Sequence, residues 1–312
     1  MRLSVPAPVP APRNPFLTGK RLPLVVGHRG VPLLHQENSL AGFRRAVELG
    51  IPAVECDVRL TADGVPVLFH DHEVGRLTSG HGRVAEMTWD QLCQLRIRRD
   101  LPMGIDPSGT PVTLRYAREE PIALLAEVLD ELAGKVAINV ELKIALPRWW
   151  HTDVGTRTAA AIAAAGVEDS VIVTSFDPRR LAAASRGHPR LVCGFCFDDT
   201  MLDFAQPLFA RLPRGPFHPR TVLERILGTH LVGHLLGTRA VGADHTIISE
   251  RSVGALHKRG VAVGTHTLFP IGSTGKPIDP RASTVDEVKR LVGLRVDWIE
   301  SDDPERLMSH VA

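Results

Sequence analysis

Short apolar runs alternate along the chain with longer stretches in which apolar residues recur at helical spacing. Nine of the apolar runs have the length of β-strands, at 22–27, 53–58, 66–70, 136–142, 170–175, 191–197, 244–249, 261–267 and 296–301. Helical spacing occurs at 39–49, 122–133, 155–165, 178–186, 251–259 and 284–292. Strands that alternate with helices in this way predict a parallel sheet covered by helices.

Nine strands are one more than an eight-stranded barrel needs, and one short connection accounts for the extra strand. Only residues 59–65, RLTADGV, separate the second and third runs, whereas a parallel crossover takes a dozen or more residues. We therefore expect an antiparallel hairpin that turns at Asp63 and Gly64. Eight parallel strands remain, which predicts an α/β fold of the (β/α)8 TIM-barrel type. A doubly wound open sheet is the alternative, but no glycine-rich dinucleotide-binding motif follows the first strand.

Three segments fall outside the strands and helices of a plain barrel. Residues 1–20 are rich in proline and are expected to be a flexible leader, so that the barrel domain spans 21–312. Residues 72–121 contain no clear strand–helix unit and are interpreted as a small inserted subdomain after the second strand. Residues 198–242 form an additional insertion. Both insertions should emerge at the C-terminal ends of strands, where barrels carry their active sites.

Composition and charge exclude several classes of protein. The 312 residues are 44% hydrophobic and 23% charged, as in folded globular proteins, and a net charge of +2 gives no reason to expect nucleic acid as a partner. No apolar run approaches the ~18 residues of a membrane span, and the N-terminus has no signal-peptide core. Four cysteines are too few for a disulfide scaffold. We expect a cytoplasmic protein that binds a small molecule, with no indication of its oligomeric state.

Charged side chains lie at the ends of four predicted strands, where a barrel places its functional residues. They are His28, Arg29, Glu55, Asp57, His70, Glu141 and Lys143. Glu55 and Asp57 are two residues apart in one strand, so both point to the same side. Carboxylates inside a barrel require a cation or a raised pKa, and hard oxygen ligands favour Mg²⁺ or Ca²⁺. A metal site with basic residues and two histidines suits phosphoryl transfer.

The run His70-Asp71-His72 allows two interpretations. His70 ends a strand beside the acidic pair, and its unperturbed pKa near neutrality suits a general acid or base. His70 and His72 also lie on one side of the chain, as two ligands of a zinc ion would. No cysteine or third histidine completes the usual zinc set, so zinc is the less favoured hypothesis.

The motifs and their spacing resemble those of the glycerophosphodiester phosphodiesterase family. The chain reads GHRG at 27–30, ENS at 37–39, ECD at 55–57, TADG at 61–64, HD at 70–71, RLTSGHGRVAEMTWDQL at 76–92, ELK at 141–143, SF at 175–176 and WIESDDPERL at 298–307. The resemblance covers most of residues 22–308. It implies a (β/α)8 barrel with a subdomain inserted after the second strand.

The resemblance also implies roles for seven side chains. The metal ligands would be Glu55, Asp57 and Glu141, the acid–base pair His28 and His70, and the phosphate-binding residues Arg29 and Lys143. The ENS motif is expected to be structural, with Asn38 or Ser39 capping a helix and Glu37 bonding loop amides. A role for Glu37 beside the metal is the less favoured reading.

One departure from the family pattern concerns the substrate. His266, in GTHTLFP, stands where the family commonly carries a tryptophan that borders the substrate. We expect His266 to contribute to substrate binding at the pocket wall, although an exposed loop position is nearly as consistent with the sequence. The resemblance therefore fixes the chemistry more firmly than the identity of the substrate.

The expected function is metal-dependent hydrolysis of glycerophosphodiesters to sn-glycerol 3-phosphate and an alcohol. The nucleophile would be either the neighbouring glycerol hydroxyl, giving a cyclic phosphate, or water. A lysophospholipase D acting on lipid phosphodiesters is the alternative, because of the 198–242 insertion and the pair Trp149-Trp150, and it leaves membrane contact open. A non-catalytic phosphodiester-binding module is a third reading, but all of the histidines and acids that catalysis needs are present.

Overall fold

The structure is a computed structural model that describes residues 13–17, 19, 22–145, 150–205, 218–275 and 277–311. Its strands in chain order are β1 (Leu24–Gly27), β2 (Ala53–Leu60), β3 (Pro66–Leu68), β4 (Arg96–Ile97), β5 (Asp100–Ile105), β6 (Pro111–Arg115), β7 (Glu120–Pro121), β8 (Ala137–Leu142), β9 (Val171–Ser175), β10 (Val192–Phe197), β11 (Ala240–Asp244), β12 (Ala262–Leu268) and β13 (Trp298–Ser301). Among the described residues, eight parallel strands follow one another around a closed barrel in the order β1-β2-β8-β9-β10-β11-β12-β13.

The (β/α)8 barrel predicted from the alternation of strands and helices is confirmed. Strand β1 closes the barrel by pairing in parallel with β13 on one side and β2 on the other. The extra strand, β3, pairs antiparallel with β2 and places Val58 opposite Leu68. This hairpin is the arrangement that the short connection RLTADGV requires.

One predicted strand is displaced along the chain. The run expected at 244–249 contributes only its first residue to a strand, because β11 covers Ala240–Asp244 and a 3-10 turn follows at His245–Ile247. Asp244 Oδ1 accepts hydrogen bonds from the backbone N–H and the hydroxyl of Thr246, which turns the chain out of the strand. The small residues of AVGAD gave too weak an apolar signal to mark the true strand.

Helices cover the outside of the barrel. They are α1 (Leu40–Glu48), α3 (Leu125–Leu132), α4 (Asp153–Ala165), α5 (Pro178–Gly187), α6 (Pro219–Thr229), α7 (Leu231–Leu236), α8 (Glu250–His257), α9 (Val285–Gly293) and α10 (Pro304–Val311). The short helix α2 (Trp89–Leu92) belongs instead to the segment between β3 and α3. Outward-facing Val54, Cys56 and Val58 of β2 belong to the apolar core shared with Phe43 and Leu129 of these helices. The two-residue alternation of β2 therefore leaves Glu55 and Asp57 facing inward.

The inside of the barrel changes from apolar to polar along the strands. Near the N-terminal ends, an apolar layer is formed by Val26, Ala53, Ile172, Val192, Ala240, Ala262 and Trp298. Trp298 fits because a Cβ at Gly264 would lie 1.9 Å from its indole ring, so only glycine leaves room. Two residues further along, the inward positions hold buried polar side chains at Glu55, Asn139, Thr174 and Glu300.

The last part of the predicted flexible leader packs against the barrel. Phe16 is fully buried, and its ring meets Trp298 edge-on with 5.3 Å between the ring centroids. Asn14 Nδ2 donates a hydrogen bond to the Arg239 carbonyl at 2.9 Å. Residues 13–17 thus close the N-terminal end of the barrel, and the flexibility expected of residues 1–20 stays a prediction. Residues 1–12 lie outside the described residues.

Two segments depart from the simple strand–helix repeat. Between β3 and α3, β4 pairs with β7 and β5 pairs with β6, around a separate apolar cluster that includes Leu77, Leu92 and Leu101. The treatment of residues 72–121 as a distinct subdomain stays a prediction. The connection from β10 to β11 contains α6 and α7, while 206–217 lie outside the described residues. No helix that the described residues form is long and apolar enough to cross a membrane.

Candidate active site

A cavity of about 640 Å³ opens at the C-terminal ends of the barrel strands. Six of the eight side chains predicted from the sequence line it, namely His28, Arg29, His70, Glu141, Lys143 and His266. The other two, Glu55 and Asp57, are buried beside it in β2. The structure therefore brings all eight to one end of the barrel, and His266 lies in the cavity wall rather than on an exposed loop.

Three carboxylates meet beside the cavity. One oxygen each from Glu55, Asp57 and Glu141 lies within 4.8 Å of the other two, and β2–β8 pairing sets Asp57 opposite Glu141. Burial, reinforced by the charge of Asp57, raises the pKa of Glu55 well above its usual range. For Asp57, burial alone would raise the pKa, but Lys143 and Arg29 outweigh it and hold the pKa well below its usual range.

The carboxylate cluster fits a divalent cation. Glu55 Oε1 is buried and accepts no hydrogen bond from the described residues. A buried carboxylate oxygen without a donor is costly unless a cation satisfies it. All three candidate ligands are hard carboxylate oxygens, which is the ligand set that Mg²⁺ and Ca²⁺ prefer.

Two basic side chains lie against these carboxylates. Lys143 Nζ is 3.0 Å from Asp57 Oδ1 and 2.9 Å from Glu141 Oε1, and Arg29 Nε is 3.2 Å from Asp57 Oδ2. Burial alone would lower the pKa of each group, but the neighbouring carboxylates outweigh it and raise both pKa values. Arg29 has a left-handed backbone with φ of 54°, and its N–H donates to Glu55 Oε2 at 2.9 Å. Lys143 and Arg29 therefore remain charged beside the cavity.

His28 is held by Asp302, which directly follows the last barrel strand, β13. His28 Nδ1 lies 2.6 Å from Asp302 Oδ1, and Asp302 Oδ2 accepts the backbone N–H of Ile271 at 2.9 Å. The Nδ1 contact leaves His28 Nε2 directed to the carboxylate side, 3.9 Å from Glu55 Oε2. Asp302 was not among the predicted site residues, although Glu300 and Asp302 repeat the spacing of Glu55 and Asp57.

His70 is held by its chain neighbour Asp71. His70 Nδ1 lies 2.8 Å from Asp71 Oδ1, and Arg76 Nε donates to Asp71 Oδ2 at 2.5 Å. Burial, together with the charges of Arg29 and Lys143, lowers the pKa of His70 to about 4. The imidazole is therefore neutral near pH 7. The HD motif pointed to this pair, and Arg76 opens the family motif at 76–92, although no anchoring role was predicted for it.

Glu37 links the regions of His28 and His70 by bonding two arginines. Bonds from Glu37 to loop amides had been expected instead. Glu37 accepts hydrogen bonds from Arg76 Nη1 at 2.9 Å and from Arg29 Nη1 at 3.1 Å. Burial alone would raise the pKa of Glu37, but the two guanidinium groups outweigh it and lower the pKa to about 2. Glu37 therefore holds both cations in place as a permanent anion.

The ENS motif caps helix α1 and also orients Asp57. Ser39 caps α1 by accepting the Gly42 N–H, as the motif predicts. Asn38, with φ of 56°, exchanges two hydrogen bonds with Asp57 instead, at 2.8 Å through its side-chain amide and 3.0 Å through its oxygen. Asn38 thus orients a predicted metal ligand that is 19 positions away in the chain.

The structure does not support the zinc hypothesis for His70 and His72. His70 lines the main cavity, whereas His72 lines a neighbouring cavity of about 630 Å³ together with Arg59. Arg59 Nη2 donates to the His70 carbonyl at 2.5 Å, so its guanidinium lies at the boundary between the two cavities. The two imidazoles face different spaces.

Comparisons with known proteins agree with this fold and site. Residues 28–306 match the family model for the glycerophosphoryl diester phosphodiesterase family. A glycerophosphodiester phosphodiesterase of Caldanaerobacter subterraneus is 31% identical over 92% of this chain and 97% of its own length. These matches define the chain as a phosphodiesterase by class. The chain belongs to the glycerophosphoryl diester phosphodiesterase family.

Solved structures show the same fold at lower sequence identity. The chain resembles a putative glycerophosphoryl diester phosphodiesterase from Silicibacter pomeroyi with a TM-score of 0.66 and 22% identity, over 93% of each chain. It also resembles a phosphodiesterase from Oleispira antarctica, solved in complex with the product sn-glycerol-3-phosphate, with a TM-score of 0.63 and 20% identity. That match covers 93% of this chain and 97% of the other.

Proposed function

We propose that this enzyme hydrolyses glycerophosphodiesters to sn-glycerol 3-phosphate and an alcohol. One observation carries the proposal. His28 and His70 line one cavity beside a carboxylate cluster and two basic side chains, and each imidazole is bonded at Nδ1 to an aspartate. The curated relative at 31% identity is named for this activity, and the Oleispira protein of the same fold is described as binding the corresponding product.

The proposed cation ligands are Glu55, Asp57 and Glu141, with Mg²⁺ or Ca²⁺ as the ion. Two observations support this assignment. Glu55 Oε1 accepts no hydrogen bond from the described residues, and all three ligands are carboxylates. When bound, the ion supplies positive charge for a non-bridging phosphate oxygen. Lys143 now bridges Asp57 and Glu141, so its ammonium group has to share these carboxylates with the ion.

Arg29 and Lys143 are proposed to bind the phosphate. Both side chains are half-buried at the cavity wall and kept charged by the carboxylates, so they are already oriented before a phosphate arrives. Negative charge grows on the phosphate oxygens during displacement at phosphorus, and fixed cations stabilise it without having to reorganise.

His28 and His70 are proposed to move the protons of the reaction. Hydrolysis forms one bond from a nucleophile oxygen to phosphorus and breaks the bond from phosphorus to the alcohol oxygen. A base must take the nucleophile's proton, and an acid must give one to the leaving alcohol. Neutral His70 suits the base, and His28, held at Nδ1 by Asp302, is then proposed as the acid.

A lysophospholipase D activity is the second candidate because of exposed apolar side chains beyond the barrel. Phe204, Leu231 and Leu235, all in the connection from β10 to β11, are 83%, 60% and 77% exposed. Trp150 is 57% exposed, and Trp149 lies outside the described residues. Apolar groups of this kind suit contact with an acyl chain or a lipid surface.

The deciding experiment compares glycerophosphocholine with lysophosphatidylcholine, each with Mg²⁺, Ca²⁺ or excess chelator. We expect sn-glycerol 3-phosphate from glycerophosphocholine with a divalent cation and none with chelator. Release of choline from lysophosphatidylcholine at a higher kcat/KM would favour the second candidate. Full turnover by metal-free protein in chelator would exclude the cation, and no turnover of either diester would exclude both activities.

The acid–base proposal is tested by His28→Ala and His70→Ala. Each should lower kcat by roughly 10²–10⁴-fold, the usual contribution of a positioned acid or base. The loss in the acid variant should shrink for substrates whose leaving alcohol has a low pKa, since such an alcohol departs without a proton. We expect that pattern for His28→Ala only. Near wild-type kcat in both variants would contradict the scheme.

A further inference from the structure

A second cluster of ligand-type side chains lies in the same cavity, separate from Glu55, Asp57 and Glu141. Asp198, Asp244 and His266 each offer one ligand atom within 4.8 Å of the other two. All three residues line the cavity. The cluster therefore adds a third set of charged groups to a site that already contains carboxylates and cations.

Strand register explains how these three side chains meet. Asp198 directly follows β10, Asp244 is the last residue of β11, and His266 lies opposite Asp244 in β12. The apolar layer contains Val192, Ala240 and Ala262 of the same strands, an even number of residues earlier. Even spacing keeps a side chain on the same face of a strand, so all three point into the barrel.

Hydrogen bonds and a ring contact hold the three side chains in place. Thr246 donates its N–H and hydroxyl to Asp244 Oδ1 at 2.9 Å and 2.7 Å, and the Thr200 N–H donates to Asp198 Oδ1 at 2.8 Å. The His266 ring meets Phe176 edge-on, with 5.8 Å between centroids. These contacts fix the orientation of the two carboxylates and of the imidazole.

One ring nitrogen of His266 has no hydrogen-bond partner among the described residues. This atom, Nε2, is buried. Two ligands that each lie about 2.1 Å from one tetrahedral ion are roughly 3.4 Å apart. Ligand atoms within 4.8 Å of each other need only small side-chain movements to reach a shared ion.

We infer that Asp198, Asp244 and His266 form a second divalent-cation site. Its imidazole shifts the preference towards ions of borderline softness such as Co²⁺ and Zn²⁺, in contrast to the all-carboxylate cluster. The site is carried by β10, β11 and β12, whereas Arg29 and Lys143 follow β1 and β8. A cation held there adds positive charge to the acidic side of the cavity.

Cobalt binding tests this site separately from the first one. The full chain is stripped of metal, saturated with millimolar Mg²⁺ to fill the all-carboxylate cluster, and titrated with Co²⁺ while visible absorption and heat are recorded. Wild-type protein should take up one Co²⁺ with d–d absorption bands. His266→Ala should take up none, and Asp198→Asn should bind Co²⁺ at least tenfold more weakly.

Asp199→Asn is the matched control, because it removes the same charge one residue away. Asp199 pairs with Arg220 and is not one of the three ligands, so this variant should retain Co²⁺ with wild-type affinity. Melting temperature and near-UV circular dichroism establish that each variant is folded. Unchanged Co²⁺ binding in His266→Ala and Asp198→Asn, or no Co²⁺ uptake by Mg²⁺-saturated wild type, would overturn the inference.

Discussion

At the scale of single residues, the site depends on carboxylates that hold imidazoles. His28 and His70 each bond an aspartate through Nδ1, by contacts of 2.6 Å and 2.8 Å. Such a contact fixes both the tautomer and the orientation of the ring and leaves Nε2 for the proposed proton transfer. In the proposed mechanism, Asp302 and Asp71 are therefore positioning residues, whose effect on activity passes through the histidines.

We predict that Asp302→Asn lowers kcat by about 10²-fold or more with little change in KM. An asparagine in place of Asp302 leaves His28 Nδ1 without its carboxylate partner, and its amide can favour the wrong tautomer. The pH profile of kcat should also shift, which a merely structural effect would not cause. Asp303→Asn, beside it in the sequence, is the control and should keep wild-type kcat, because Asp303 caps α10 and does not contact His28.

At the scale of elements, buried charged side chains attach loops and helices to the barrel. Arg59 donates to the carbonyls of His70 and Ile144, at 3.0 Å from Nε and 2.6 Å from Nη1, and so ties the β2–β3 hairpin to the end of β8. Glu287 in α9 accepts from His245 Nδ1 at 2.6 Å and from Arg290 Nη2 at 2.6 Å. That second network joins α9 to the turn after β11.

The Glu287 network predicts a pH-dependent part of the folding stability. Burial alone would raise the pKa of Glu287, but the bonds from His245 and Arg290 outweigh it and lower the pKa to about 2 from an ordinary value of 4.5. A carboxylate with a lowered folded-state pKa stabilises the fold above its unfolded-state pKa. This stabilisation should be complete above about pH 5 and lost as the pH falls from 4.5 towards 2.

Glu287→Gln should therefore lower the free energy of unfolding at pH 7 by about 1–3 kcal/mol, the usual range for a hydrogen bond to a charged group. The difference in the free energy of unfolding between Glu287→Gln and wild type should become smaller as the pH falls below 4.5. Urea unfolding at pH 7, 5, 4 and 3 measures both effects. Glu305→Gln, at an exposed position in the first turn of α10, is the control and should not show this gap. A gap that stays constant with pH would refute the linkage.

At the scale of the whole molecule, the barrel is closed at one end by packing and left open at the other for chemistry. Phe16 and Trp298 fill the N-terminal end, while charged groups surround the cavity at the C-terminal end. The apolar layer between them keeps the stability of the fold separate from the arrangement of the site. Barrels commonly divide stability and catalysis between their two ends in this way.

We predict that Phe16→Ala destabilises the protein by about 3–5 kcal/mol, the usual cost of emptying a buried aromatic position. The site lies at the opposite end of the barrel, so kcat and KM of the folded variant should remain near wild type. Thermal unfolding and steady-state kinetics measure the two properties. Phe204→Ala is the matched control, because Phe204 is 83% exposed and should cost little stability. Equal losses in the two variants would show that Phe16 does not close the barrel in solution.

The sequence by itself determined the barrel, the β2–β3 hairpin and the side chains of the proposed first metal site. Strand alternation is local, since a spacing of two residues puts Glu55 and Asp57 on one face whatever the rest of the chain does. The length of a connection is also local, and RLTADGV was short enough to exclude a parallel crossover. Motif spacing placed the remaining predicted residues at strand ends, where the barrel geometry gathers them.

Only the tertiary structure decided which distant groups become partners. Asp302 holds His28 across 274 residues because closure sets β13 beside β1, and no local pattern encodes that neighbour. The proposed second cation site likewise exists because three adjacent strands end at the same height. Phe16 is buried because the end of the barrel needs an apolar cover, which a proline-rich segment gives no sign of providing. These contacts depend on the closed barrel, since each joins groups that are remote in the chain and close only after the sheet has closed.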